Sequence, residues 1–101
     1  MENAIYHVSY KLKKGTSIEE FLAAAKALND QFIAKQKGYM SSQQLNDGDT
    51  WADQITFATM DDAKNFLANA GNVSETAQKF YSLINLNSCK QHLFLVKQHS
   101  S

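Results

Sequence analysis

One acid on an otherwise apolar strand face is the first residue that invites a chemical reading. Trp51, Asp53, Ile55 and Phe57 alternate with Ala52, Gln54, Thr56 and Ala58, so an extended chain sets a carboxylate in line with an indole, a branched aliphatic and a phenyl ring. An isolated buried carboxylate is costly, and Asp53 therefore needs a hydrogen-bond or charge partner. His92 is the candidate, in a C-terminal run where His92, Phe94 and Val96 alternate with Gln91, Leu93 and Leu95. A carboxylate that orients an imidazole makes a general base. On this reading His92 and Asp53 are catalytic. Tyr6, Tyr10, Trp51 and Phe57 bind the substrate, with Tyr6 hydrogen-bonding it and Trp51 forming an aromatic wall. The plainer alternative is that Asp53 ties down the Trp51 indole or a helix terminus while His92 satisfies a buried hydrogen bond. The sequence leaves both open.

Other candidate chemistry is thinner. His7 falls on the opposite side of its strand, where an interface hydrogen bond is the expectation, and His99 lies in a polar tail. Cys89 reads as an inert, half-buried thiol. There is no pair of His at helical metal-ligand spacing, no glycine-rich phosphate loop and no dinucleotide fingerprint, so neither a metal nor any other cofactor is expected. The aromatic set Phe21, Phe32, Phe57, Phe66, Phe80 and Tyr81 recurs at core spacing; it serves packing, or lines a cavity for a flat apolar molecule.

The elements that must position these residues follow from periodicity. Ala4, Tyr6, Val8, Tyr10 and Leu12 form one side of a first strand. Ser17 with Glu20 makes a capping box, and Phe21, Leu22, Ala25, Leu28, Phe32 and Ile33 give residues 18–35 one apolar helical face ending before Gly38. Residues 39–45 are an edge strand joined by Asn46-Asp47-Gly48-Asp49 to the strand that carries Asp53. Thr59 caps a second helix with Ala63, Phe66, Leu67 and Ala70 on one side. Gly71-Asn72 interrupts it, and Ser74 opens a further helical run. Residues 85–88 read as a loop and residues 89–98 as the last strand. The order β-α-β-β-α-β predicts an α+β ferredoxin-like fold: a four-stranded antiparallel sheet in the order 4-1-3-2, with helices on one face. Leu93, Leu95 and Ile5 are expected on the open face, a patch that a second copy would cover in a homodimer joined through the sheets.

Composition narrows the function classes. The chain of 101 residues, 44% hydrophobic and 11% aromatic, suits one domain spanning residues 1–101. Ten basic and ten acidic side chains leave no net charge, which gives no footing for nucleic acid. The lysines at 11, 13, 14, 35 and 37 flank turns and read as solvated. A single cysteine excludes an internal disulfide and suits a reducing, cytoplasmic setting. No leader pattern and no run of ~20 apolar residues points to a membrane.

Several runs resemble the dimeric α/β-barrel superfamily, in particular proteins similar to antibiotic-biosynthesis monooxygenases: Tyr10-Lys11-Leu12-Lys13-Lys14-Gly15, Gly38-Tyr39, Gly48-Asp49-Thr50-Trp51-Ala52-Asp53, Thr59-Met60-Asp61-Asp62-Ala63, and residues 80–84. The resemblance spans residues 6–96 and implies the ferredoxin-like dimeric barrel. It also implies a choice of activities: cofactor-independent monooxygenases on aromatic compounds, haem-degrading enzymes, small isomerase-like enzymes and members with no known activity. The expectation is a homodimeric, cofactor-independent monooxygenase-like enzyme acting on an aromatic or quinone-like small molecule; the alternative is a non-catalytic ligand-binding or stress-related dimer.

Overall fold

The computed structural model of the chain describes residues 2–69 and 74–100. Its elements run β1 (Ala4–Leu12), α1 (Ile18–Gln31), a 3-10 turn (Ile33–Lys35), β2 (Tyr39–Asp47), β3 (Thr50–Phe57), α2 (Met60–Asn69), α3 (Glu75–Leu83) and β4 (Ile84–Leu95). The four strands form one antiparallel sheet in the order β2-β3-β1-β4, and the fold is the α+β ferredoxin-like one that the periodicity predicts.

Local chemistry sets the boundaries. The Ser17 hydroxyl accepts from the Glu20 amide at 3.3 Å to start α1, and Thr59 and Ser74 accept in the same way from Asp62 and Ala77 to start α2 and α3. The first helix stops at Gln31 and not at residue 35. Phe32 leaves helical geometry with φ −129°, and Phe32 and Ile33 each pack against both halves of the core, which a continuous helix with one inward face would not allow. Gly48 (φ +63°) closes the β2–β3 hairpin. Gly38 has φ +82°, and a Cβ there would fall 2.2 Å from the Asp62 carboxylate. Ala70 and the Gly71-Asn72 interruption lie outside the described residues.

The last strand departs from expectation twice. It begins at Ile84, directly after α3, so residues 85–88 are part of the sheet edge and not a loop. Ser9 faces Lys90 but Lys11 faces Asn85, so β4 carries three more residues than β1 across that step, an enlarged, irregular bulge. The Lys11 amide donates to the Ser88 hydroxyl at 2.8 Å, and that hydroxyl donates to the Asn85 carbonyl at 2.6 Å. Second, the two sides of β4 are reversed. Leu93 faces Tyr6 and Gln91 faces Val8 on the helix-covered side, whereas His92 faces His7 and Phe94 faces Ile5 on the open side. Both sides of this strand carry apolar residues, so alternation could not choose between them; register with β1 does.

The core is divided. One cluster holds Tyr10, Phe21, Leu28, Ala77, Phe80 and Ile84; the other holds Ala4, Ile55, Phe57, Ala63 and Phe66. Among the described residues no helix is long and apolar enough to cross a membrane.

Candidate functional site

Where the two clusters meet, sheet and helices enclose a cavity of about 420 Å³ that reaches Tyr6 and Tyr10 on β1, Asp53 on β3, Phe80 and Tyr81 on α3, and Cys89 on β4. This is within the range of small-molecule sites. The β4 bulge shapes its rim: Leu86, on the bulge, also lines the space and is 59% exposed. Alternation brings the β1 and β3 side chains here, since Val8 is opposite Asp53 and Tyr6 is opposite Ile55.

Asp53 is the chemical centre. Its Oδ2 accepts from the Tyr10 hydroxyl at 2.9 Å and its Oδ1 from the Gln44 amide at 3.4 Å. Gln44 is its register partner on β2. Withdrawal from water pushes the carboxyl up to about 6, and the two hydrogen bonds only partly offset this. Burial, with the Asp53 charge adding to it, pushes the Tyr6, Tyr10 and Tyr81 phenols and the Cys89 thiol upward. At neutral pH the site therefore presents one ionised carboxylate among neutral phenols, a neutral thiol and aromatic faces. Such a carboxyl, titrating close to neutrality in an apolar cleft, is suited to accept a proton from a bound molecule.

The residues singled out from sequence divide evenly. Asp53, Tyr6 and Tyr10 line the cavity. His92 does not reach it: it stands on the open face of the sheet, stacked on Phe94 at 5.6 Å with a 17° interplanar angle, so the expected Asp53–His92 pair does not form. Trp51 shares the helix-covered face with Asp53 but packs edge-on against Phe21, ring centroids 5.0 Å apart, as part of the first cluster. Phe57 is fully buried in the second cluster against Phe66. Neither the Trp51 indole nor a helix end accounts for Asp53, whose partners are Tyr10 and Gln44. Sequence reasoning missed Gln44, Gln91 and Cys89 as site residues. Gln44 was recoverable from the hairpin, because pairing outward from the Gly48 turn sets it opposite Asp53. Gln91 and Cys89 depended on the side of β4, whereas Tyr81 belongs to the aromatic set for which packing and cavity lining were both open, and it lines the cavity. Among the described residues no three His, Cys, Asp or Glu side chains gather where a metal could be held.

With this geometry in place, comparison with known proteins adds the fold's company. No family model and no curated protein matches the sequence. Solved structures do. The chain is similar to SnoaB, a cofactor-independent oxygenase from Streptomyces nogalater (17% identity, 98% of this chain and 97% of that one, TM-score 0.75). It is also similar to an antibiotic-biosynthesis-monooxygenase-like protein from Bordetella bronchiseptica (10% identity, 100% of both chains, TM-score 0.75). A third is the ActVA-Orf6 monooxygenase of Streptomyces coelicolor, solved in complex with nanaomycin D (9% identity, 99% and 92% covered, TM-score 0.69). The fold is that of antibiotic-biosynthesis-monooxygenase-like proteins, in agreement with the resemblance of the sequence; at these identities the likeness concerns the fold alone.

Proposed function

We propose that the chain is a cofactor-independent, monooxygenase-like enzyme whose substrate is a flat, electron-rich aromatic or quinol-type molecule held in the cavity between sheet and helices. The observation that carries this reading is the Asp53 carboxyl, shifted to about 6 beside an open aromatic cavity with only neutral hydrogen-bond donors attached. Similarity to the oxygenase folds supports it at the coarser level.

In this mechanism Asp53 replaces His92 as the base. The substrate binds with its acidic O–H or activated C–H toward Asp53, and the carboxylate takes that proton. The substrate anion holds the electron pair and is itself the reductant for dioxygen. One oxygen atom bonds to ring carbon; the other leaves as water with the two hydrogens removed from substrate. Tyr10 holds Asp53 in place through its 2.9 Å hydrogen bond, and the Tyr6 and Tyr81 phenols, kept protonated by burial, can donate to the developing oxyanion.

Two further proposals accompany it. A second copy of the chain covers the open face of the sheet, where Ile5, half-exposed Phe94 and Leu45 would otherwise meet water. The free Cys89 supports a reducing, cytoplasmic setting.

The enzyme reading is tested by oxygen uptake with an activated hydroquinone or hydroxynaphthalene. Asp53→Asn should lower the rate about 100-fold or more, the usual range for loss of a general base. An unchanged rate would remove Asp53 from the mechanism.

A further inference from the structure

The reacting side of the cavity carries a charge and no counter-charge. Among the described side chains that line it, Asp53 is the one group ionised at neutral pH; no Lys, Arg or His lines it. Among the described residues the groups facing Asp53 from five elements are neutral: Tyr6 and Tyr10 on β1, Gln44 on β2, Tyr81 on α3, Cys89 and Gln91 on β4, and Phe66 and Leu67 of α2 on the cavity wall. On the α1 side, Asp53 also borders a shallow outer groove with Lys26 and Asp30, but these two are paired with each other at 2.9 Å and exposed.

We propose that the cavity sorts flat aromatic ligands by charge, taking those that bear a hydroxyl or a protonated amine and rejecting the same body bearing a carboxylate. This deepens the reading of the cavity as the small-molecule site and rests on it. A ligand carboxylate would bring a second negative charge beside Asp53 in a cavity lined mostly by apolar side chains, where like charges are less screened than in bulk water. A ligand ammonium would supply the missing counter-charge, in a cavity whose aromatic lining, Tyr81 among it, also favours cations. A hydroxyl is neutral to both effects and can still donate to the carboxylate.

Three ligands of one body separate these cases: 2-naphthol, 2-naphthylmethylamine and 2-naphthoate, titrated calorimetrically into the wild-type chain at pH 5 and pH 8. Naphthol is expected to bind at both. The amine should gain about tenfold in affinity between pH 5 and pH 8, because a carboxyl titrating near 6 is about one-tenth ionised at the lower pH and almost wholly ionised at the higher. Naphthoate at pH 8 should bind at least tenfold more weakly than naphthol. In Asp53→Asn the pH-dependent gain should vanish and the penalty on naphthoate should shrink. Naphthoate binding as tightly as naphthol, or an amine affinity that is flat with pH in the wild type, would overturn charge sorting while leaving the cavity as a binding site. Failure of naphthol itself to bind would overturn both readings together.

Discussion

Asp53 is costly to the fold and useful to chemistry, and that opposition can be measured. Its carboxyl moves from the ordinary 3.8 to about 6 in the folded chain. Between these values the folded state holds more protons than the unfolded one, so this residue's contribution to stability falls as pH rises from about 4 to about 6 and stays low above that. Asparagine in its place keeps an oxygen to accept from Tyr10 and loses the ionisation. Asp53→Asn should therefore melt at least as high as wild type at pH 4 and a few degrees higher at pH 8. A clearly lower melting temperature at pH 8 would instead make Asp53 a structural tie between β1 and β3, which favours the non-catalytic alternative. At this scale the sequence was informative about Asp53: a lone acid on a Trp-Ile-Phe face needs an explanation, and Tyr10 and Gln44 provide its partners. It was misleading about His92, because histidine is the usual partner for such an acid and nothing in the local pattern tells which side of β4 it occupies.

At the scale of elements, most boundaries follow from caps and turns that sequence shows directly. Ser17, Thr59, Ser74 and Gly48 each do in space what their type and position predict. The failures come from tertiary contacts: α1 ends early because Phe32 and Ile33 must reach two separate clusters, and residues 85–88 extend the sheet because Ser88 and Asn85 satisfy the β1 edge across a bulge. Neither contact leaves a local signature. Gly38 shows the opposite case, a residue whose type is required by both backbone and space. Gly38→Ala should destabilise the chain by about 1–2 kcal/mol from the positive φ alone, and by more if Asp62 cannot withdraw from the new methyl group. Urea titration measures this; a loss of about 1–2 kcal/mol would mean that Asp62 withdraws easily, and a loss under about 0.5 kcal/mol would contradict the backbone requirement for glycine at this turn.

For the whole molecule the open sheet face is the main unbalanced feature. The register correction exchanges the expected Leu93 and Leu95 for Phe94, which is 50% exposed beside Ile5, with Leu45 at 41% on the same face. Phe94→Asp should convert a dimer mass to a monomer mass in light scattering at micromolar concentration without loss of secondary structure. A wild-type monomer under the same conditions would refute sheet-to-sheet pairing. The enzyme reading stands or falls apart from that result. Its most direct test is the pH dependence of kcat/KM for oxygen uptake by the wild-type protein with an activated hydroxynaphthalene. The rate should rise about tenfold between pH 5 and pH 7 with an apparent pKa near 6, the value at which Asp53 becomes a base, and Asp53→Asn should remove both the rise and most of the rate. A wild-type profile that is flat across that range, or one that survives in Asp53→Asn, would contradict the assignment of Asp53 as the group that takes the substrate's proton.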